Sequence, residues 1–189
     1  MTNMIGKLAV GFIVVSALFA GAFLWYTAES AFYTPVAFQT GTEIRLVPLT
    51  SDLPEPILVA GVTGIDAASS PIKFRACFTT PMSLAMLTET YRAYDTAEPL
   101  IAPSSFACFD AKAIGQALET GQALAFLSEP NITWGVDRVV AVTADGHGYA
   151  WHQINACGRE VFDGNPAPEG CPPPPADQPA DQPAPEGTN

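Results

Sequence analysis

The sequence predicts an α+β fold: a small antiparallel sheet with two helices, carried behind a single N-terminal transmembrane helix and trailed by a disordered Pro-rich tail. Three observations predict it. Leu8 to Ala28 is an uncharged apolar stretch. Several short strand-like runs are punctuated by Gly, Pro, Asn and Asp, and the last two flank an Asp-Gly pair. Two helix signals are inserted among them without a βαβ repeat, which favours antiparallel pairing.

The apolar stretch sets the topology. At about 1.5 Å per residue its 21 positions match the roughly 30 Å hydrocarbon core of a bilayer. A buried soluble helix would show a polar stripe, and this run is apolar all round. A cleavable signal peptide has a shorter apolar region, and here Phe23 and Leu24 continue past the small residues Ala20-Gly21-Ala22. The reading is therefore an uncleaved anchor over 8–28, with Trp25 and Tyr26 at its outer interface. Lys7 precedes it and no base follows before Arg45, so residues 1–7 are expected in the cytoplasm and the remainder across the membrane. Ala17 and Gly21 form a small-xxx-small pair able to pack against another membrane helix.

Beyond the anchor, seven bases face nineteen acids. A domain this acidic repels nucleic acid and anionic headgroups, so no nucleic acid is expected as a partner. The expected partners are the lipid bilayer, through 8–28, and a membrane protein. All four cysteines, Cys77, Cys108, Cys157 and Cys171, lie past the anchor, where an oxidising compartment favours disulfides. Four cysteines allow three connectivities, and spacing does not choose among them. Cys77–Cys108 with Cys157–Cys171 is the preferred pairing, the second weakened by the placement of Cys171 in the tail.

In chain order, 29–42 reads as a connector and 43–162 as the folded domain. EIRLVPL at 43–49 is a strand limited by Pro48. Ile57 to Ala60 is a second strand closed by Gly61, and Gly64 to Pro71 a loop. In PIKFRACF, Ile72, Phe74, Ala76 and Phe78 alternate with Lys73, Arg75 and Cys77, the clearest period-two pattern in the chain. A helix follows, with Thr80 as N-cap, Pro81 in its first turn, and an end near Tyr94–Asp95. Asp110 caps a second helix stopped by Gly121. Ala123 to Leu127 is a strand broken by Pro130 and Asn131. VDRVVAVT and YAWHQIN then form a hairpin around Asp145-Gly146. From 163 to 189 nine prolines, five acids and no base predict disorder.

No catalytic constellation is present in the sequence, and no cofactor is expected. His152 is a candidate base or ligand, but a structural role is preferred because no ligand cluster of standard spacing surrounds it. His147 falls in a turn. Cys77, Met82 and Met86 are soft sulfur groups that suit Cu(I); core packing plus a disulfide is the preferred alternative. The serines lack a nucleophile elbow, and Gly146-x-Gly148 lies in a hairpin turn, not a phosphate cradle. Asp137 and Asp145 are expected to be solvated, and Trp134, Tyr149 and Trp151 to be core or sheet-face aromatics.

The segments GIDAASSPIKFRACFTTPMSLAMLTETY, CFDAKAIGQALETGQALAFLSE and GVDRVVAV…GYAWHQINACG resemble a family of small membrane-anchored alphaproteobacterial proteins of unknown function, over about residues 4–163. Some members carry the label histidine kinase. The residues here do not match it: there is no phosphoacceptor helix motif and no ATP-binding glycine or asparagine box. The resemblance implies a membrane-anchored protein and brings no catalytic residues with it. The expected role is that of an accessory or assembly partner of an inner-membrane complex, with copper handling or a small periplasmic sensor or enzyme as the alternatives.

Overall fold

The computed structural model describes residues 2–29 and 32–175. Helix α1 (Thr2–Glu29) contains the apolar stretch, and none of its membrane-length span, Gly6–Thr27, is covered by the rest of the chain. Its apolar circumference accounts for this: no polar stripe directs one face toward a core. Ala17 and Gly21 stand one turn apart on it, and a Cβ added at Gly21 would meet nothing within 4 Å.

The remaining elements are β1 (Thr34–Pro35), β2 (Arg45–Leu46), β3 (Glu55–Pro56), β4 (Ala60–Asp66), β5 (Arg75–Thr79), α2 (Leu84–Thr90), α3 (Ala111–Glu119), β6 (Ala123–Thr133), β7 (Val136–Thr143), β8 (His147–Ile154) and α4 (Ala156–Phe162). Six strands form one antiparallel sheet in the order β1-β4-β5-β8-β7-β6, and β2 and β3 form a separate ribbon. The hairpin is confirmed: β7 and β8 pair from Val136↔Ile154 to Val142↔Gly148, and Gly146 takes φ +85° in the turn, where glycine carries no Cβ penalty.

The sheet is buried on both faces. One face holds Phe74, Ala76, Phe78, Val140, Val142 and Ala150 against the β2–β3 ribbon and Leu87 and Tyr91. The other holds Cys77, Val139, Ala141 and Trp151 against Phe109 and Ile114 of α3. Burial on both sides explains why VVAV and Ala125 to Leu127 read as continuous apolar runs rather than alternating ones.

Several boundaries differ from the sequence reading. The connector is not free of the sheet: Thr34 and Pro35 pair with Asp66 and Ile65 on β4. That strand occupies 64–66, read as loop, because β5 supplies its partner. Helix α2 starts three residues after Pro81 and is capped by Ser83, which accepts from Met86 N; Thr80 instead donates to Leu58 O at 2.8 Å and accepts from Met82 N at 3.2 Å, a local turn ahead of the helix, which ends at Thr90 where Tyr91 turns to the extended conformation. Strand β6 runs through Pro130 and Asn131. Two register shifts absorb them, and Asn131 adopts φ +48°, which asparagine tolerates. Helix α4, capped by the Asn155 side chain accepting from Gly158 N at 2.9 Å, carries too short a pattern to be read from sequence. A Cβ at Gly158 would stand 2.2 Å from the Gly135 carbonyl oxygen, so the chain there needs glycine.

Strand β6 would be an exposed edge, and it is covered. Val47 N donates to Leu127 O, Leu127 N to Arg92 O, and Tyr94 N to Ala125 O, each within 3.0 Å. The Ser128 hydroxyl donates to Arg45 O at 2.6 Å. Two loops thus satisfy the backbone groups that would otherwise recruit a foreign strand.

The cysteines pair as Cys77–Cys108 and Cys157–Cys171. On the loop-entropy account each closure contributes about 3–4 kcal/mol. The second bridge shortens the tail. Residues 163–172 are held to the domain by it and by Trp134 Nε1 donating to Pro172 O at 3.0 Å. The expected disorder beyond residue 175 falls outside the described residues.

Candidate functional site

Adjacent positions of β7 and β8 send their polar side chains to opposite faces. Arg138 pairs with His152, and Asp137 with Gln153. Each pair seeds a buried polar network.

The first network is closed. The Arg138 guanidinium lies 4.3 Å from the Phe74 ring centroid, donates through Nε to His152 Nε2 at 3.0 Å, and meets Glu129 at 3.2 Å. Because arginine has only donors, His152 Nε2 accepts, so Nδ1 carries the proton and donates to Pro71 O at 2.7 Å. The imidazole also stacks on Phe74 at 4.6 Å. Burial and then the Arg138 charge push its pKa down to about 4. His152 is therefore neutral, with both nitrogens occupied.

The second network reaches outward. Asp137, expected to be solvated, is 7% exposed. Its carboxylate accepts from Tyr94 Oη at 3.1 Å, Asn131 N at 2.8 Å and Asn155 Nδ2 at 2.8 Å. The correction arises because those donors come from three segments that sequence spacing does not join. Burial, and then the Asp137 charge, hold the Tyr94 phenol well above its ordinary pKa. Gln153 accepts from Glu98 N at 2.8 Å and Trp151 Nε1 at 3.0 Å and donates to Thr96 O at 2.9 Å. These bonds fix residues 94–98.

That loop and α4 face each other across an open cleft of about 510 Å³. Its lining includes Asp95, Glu98 and Glu160, with Arg159 as the one base. The loop is held from beneath by Gln153 and Tyr94, and α4 by Asn155 and Cys157–Cys171. The cleft walls are thus positioned before any ligand arrives. Sequence reasoning missed the cleft, since Gln153 and Asn155 carry no motif; the signal lay only in buried polar residues within an apolar strand.

The soft-ligand set is not assembled. Cys77 is oxidised to Cys108 and faces the α3 side of the sheet, whereas Met82 packs on the opposite face, outside α2. Met86 is 52% exposed, and His152 is occupied as described. The alternation of β5, which sends Cys77 away from Phe78, separates them. Among the described residues no group of three or more His, Cys, Asp or Glu side chains is placed to hold a metal ion. Of the other candidates, Trp151 and Trp134 are core residues, while Asp145 and His147 form an exposed pair in the turn at 3.0 Å.

The fold and its closures define an α+β domain with two disulfides behind an exposed apolar helix long enough to span a membrane. Residues 44–172 match a family of unknown function, DUF6446, and the chain belongs to that family. The match ends at Pro172, whose carbonyl accepts from Trp134, and so includes the second disulfide. No curated protein and no solved structure matches the chain.

Proposed function

We propose that the chain is a non-enzymatic, membrane-tethered periplasmic protein that serves as an accessory or assembly partner of an inner-membrane complex. One observation carries this reading. The side chains with chemical potential are committed to internal bonds: four cysteines in two disulfides, both nitrogens of His152, and the carboxylate of Asp137. Two features of the described residues stay accessible to a partner, a bare apolar helix and a braced, acid-lined cleft. The disulfides indicate an oxidising compartment and the helix a membrane anchor. Lys7 before the helix, with an acidic domain after it, favours the periplasmic side for the domain. Such a protein works by being held beside its partner, where tethering raises the effective concentration.

The test is affinity capture of tagged full-length protein from membranes solubilised in mild detergent. A reproducible membrane-protein partner is expected, and capture weakens when Glu98 and Glu160 are both changed to Lys. Recovery solely as a free monomer sinks the reading.

A further inference from the structure

The polypeptide between α1 and the sheet is very short. Glu29 ends the helix, and Phe32 follows three peptide units later, at most about 11 Å away by Cα spacing. The headgroup layer is roughly 5–7 Å deep on each side of the hydrocarbon core. Phe32 therefore stays within about 11 Å of the helix end, in the headgroup layer or within several ångströms of it, and Tyr33 is its neighbour.

Those two rings hold a cation. Lys73 Nζ lies 6.0 Å from the Phe32 ring centroid and 5.4 Å from that of Tyr33. Among the described residues Lys73 makes no ion pair. The nearby Asp66, which pairs with Thr34, uses Oδ1 to accept from Ala67 N at 2.8 Å.

A second feature is brought to the same place by Arg75. This guanidinium is buried and donates to four carbonyls: Ile72 at 2.8 Å, Phe74 at 2.6 Å, Leu100 at 2.9 Å and Ile101 at 3.2 Å. It therefore clamps the loop around 100–101 beside Ile72 and Lys73. In that loop Ile101 is 84% exposed, the highest exposure among the large apolar residues whose burial is described. An isolated exposed isoleucine is ordinary on a surface. One pinned by a buried arginine next to a lysine–aromatic cluster, at the root of a membrane helix, is not.

We infer that the folded domain lies against the bilayer through Phe32, Tyr33, Lys73, Leu100 and Ile101, with Ile101 inserted at the interface and Lys73 on phospholipid phosphate. The occupant is a phospholipid surface, chosen by proximity to the anchor and by Lys73, a base that makes no ion pair among the described residues. Aromatic rings, an apolar tip and a basic head are the groups that partition into this layer. The inference rests on the anchor reading and adds an orientation to it: Arg75 is the positioning residue that presents Ile101.

The test uses isotope-labelled full-length protein in nanodiscs of phosphatidylcholine with a minority of phosphatidylglycerol. Headgroup-nitroxide lipid should broaden the Ile101 methyl signals to the same extent as the Tyr33 ring, and leave Leu53, 78% exposed in the loop after β2, sharp. The double variant Lys73→Glu, Ile101→Ser should lose the broadening at Leu100. Acyl-chain nitroxide reports the anchor separately through Val14. If Val14 broadens while Ile101 is as sharp as Leu53, the docking surface is overturned and the anchor stands. If Val14 is also unbroadened, both fall.

Discussion

The two polar networks start from adjacent rungs of one ladder and end differently. Arg138 and His152 close on Phe74, Glu129 and Pro71, and so lock the sheet to the β4–β5 connection. Asp137 and Gln153 instead bind donors and acceptors on the 94–98 loop, Asn131 and the cap of α4. The pleat alone separates them, since neighbouring residues on a strand point to opposite faces. The comparison teaches that burial of a polar group does not define its use. One network stabilises the frame, and the other positions the walls of the cleft between residues 94–98 and α4.

Breaking the second network has the largest expected effect. Asp137→Ala leaves a phenol, an amide N–H and a side-chain amide without their shared acceptor, at about 3–5 kcal/mol of stability. Urea unfolding of the full chain in detergent measures the loss, and amide exchange at 94–98 should accelerate beyond that of β7. A uniform rise in exchange, with no excess at the loop, would show that Asp137 serves the frame instead.

The first network is sharpened by pH. His152 has a folded pKa of about 4, below its ordinary value near 6.5. Between these values the unfolded chain binds the proton and the folded chain does not. Stability from this group is therefore fully present above about pH 6.5 and is lost as pH falls toward 4, up to about 3 kcal/mol. Urea midpoints at pH 7 and pH 4.5 read this difference. His152→Gln should flatten that part of the profile, and a profile unchanged by the substitution contradicts the buried neutral imidazole.

Gln153→Leu should cost about 2 kcal/mol, because Glu98 N, Trp151 Nε1 and Thr96 O lose one partner each while some of them reach water at the cleft. It should also weaken partner capture more than His152→Gln does, which separates the cleft from the frame directly. The smallest effect belongs to neither network. Arg92 and Asp52 form an exposed ion pair at 2.9 Å, and Arg92→Ala should change stability by about 0.5 kcal/mol or less. A larger loss would mean that Arg92 acts through the loop covering the edge of β6.

Legibility in the sequence followed the range of the interaction. The apolar helix, the Asp145-Gly146 hairpin and the Asp110 cap of α3 depend on residues within a few positions, and each was readable. The path of β6 through Pro130 was not, because its tolerance rests on the register shifts against β7. Asp137 read as a solvated strand-end acid because Tyr94 and Asn155, its partners, are separated from it by 43 and 18 residues. The Pro-rich segment after 163 is tied back to the domain by the Cys157–Cys171 bridge, a pairing that the spacing of four cysteines allows but does not select.

By itself the sequence determined that an apolar rod precedes an acidic, cysteine-bearing α+β domain, because length, charge and short-range periodicity are properties of the chain alone. Only the tertiary structure decided that both sheet faces are buried, which cysteines meet, that His152 is neutral and occupied, and that Arg75 presents Ile101 beside Lys73. The reason is physical. These outcomes depend on desolvation and on partners dozens of residues away, and neither exists until the sheet has closed.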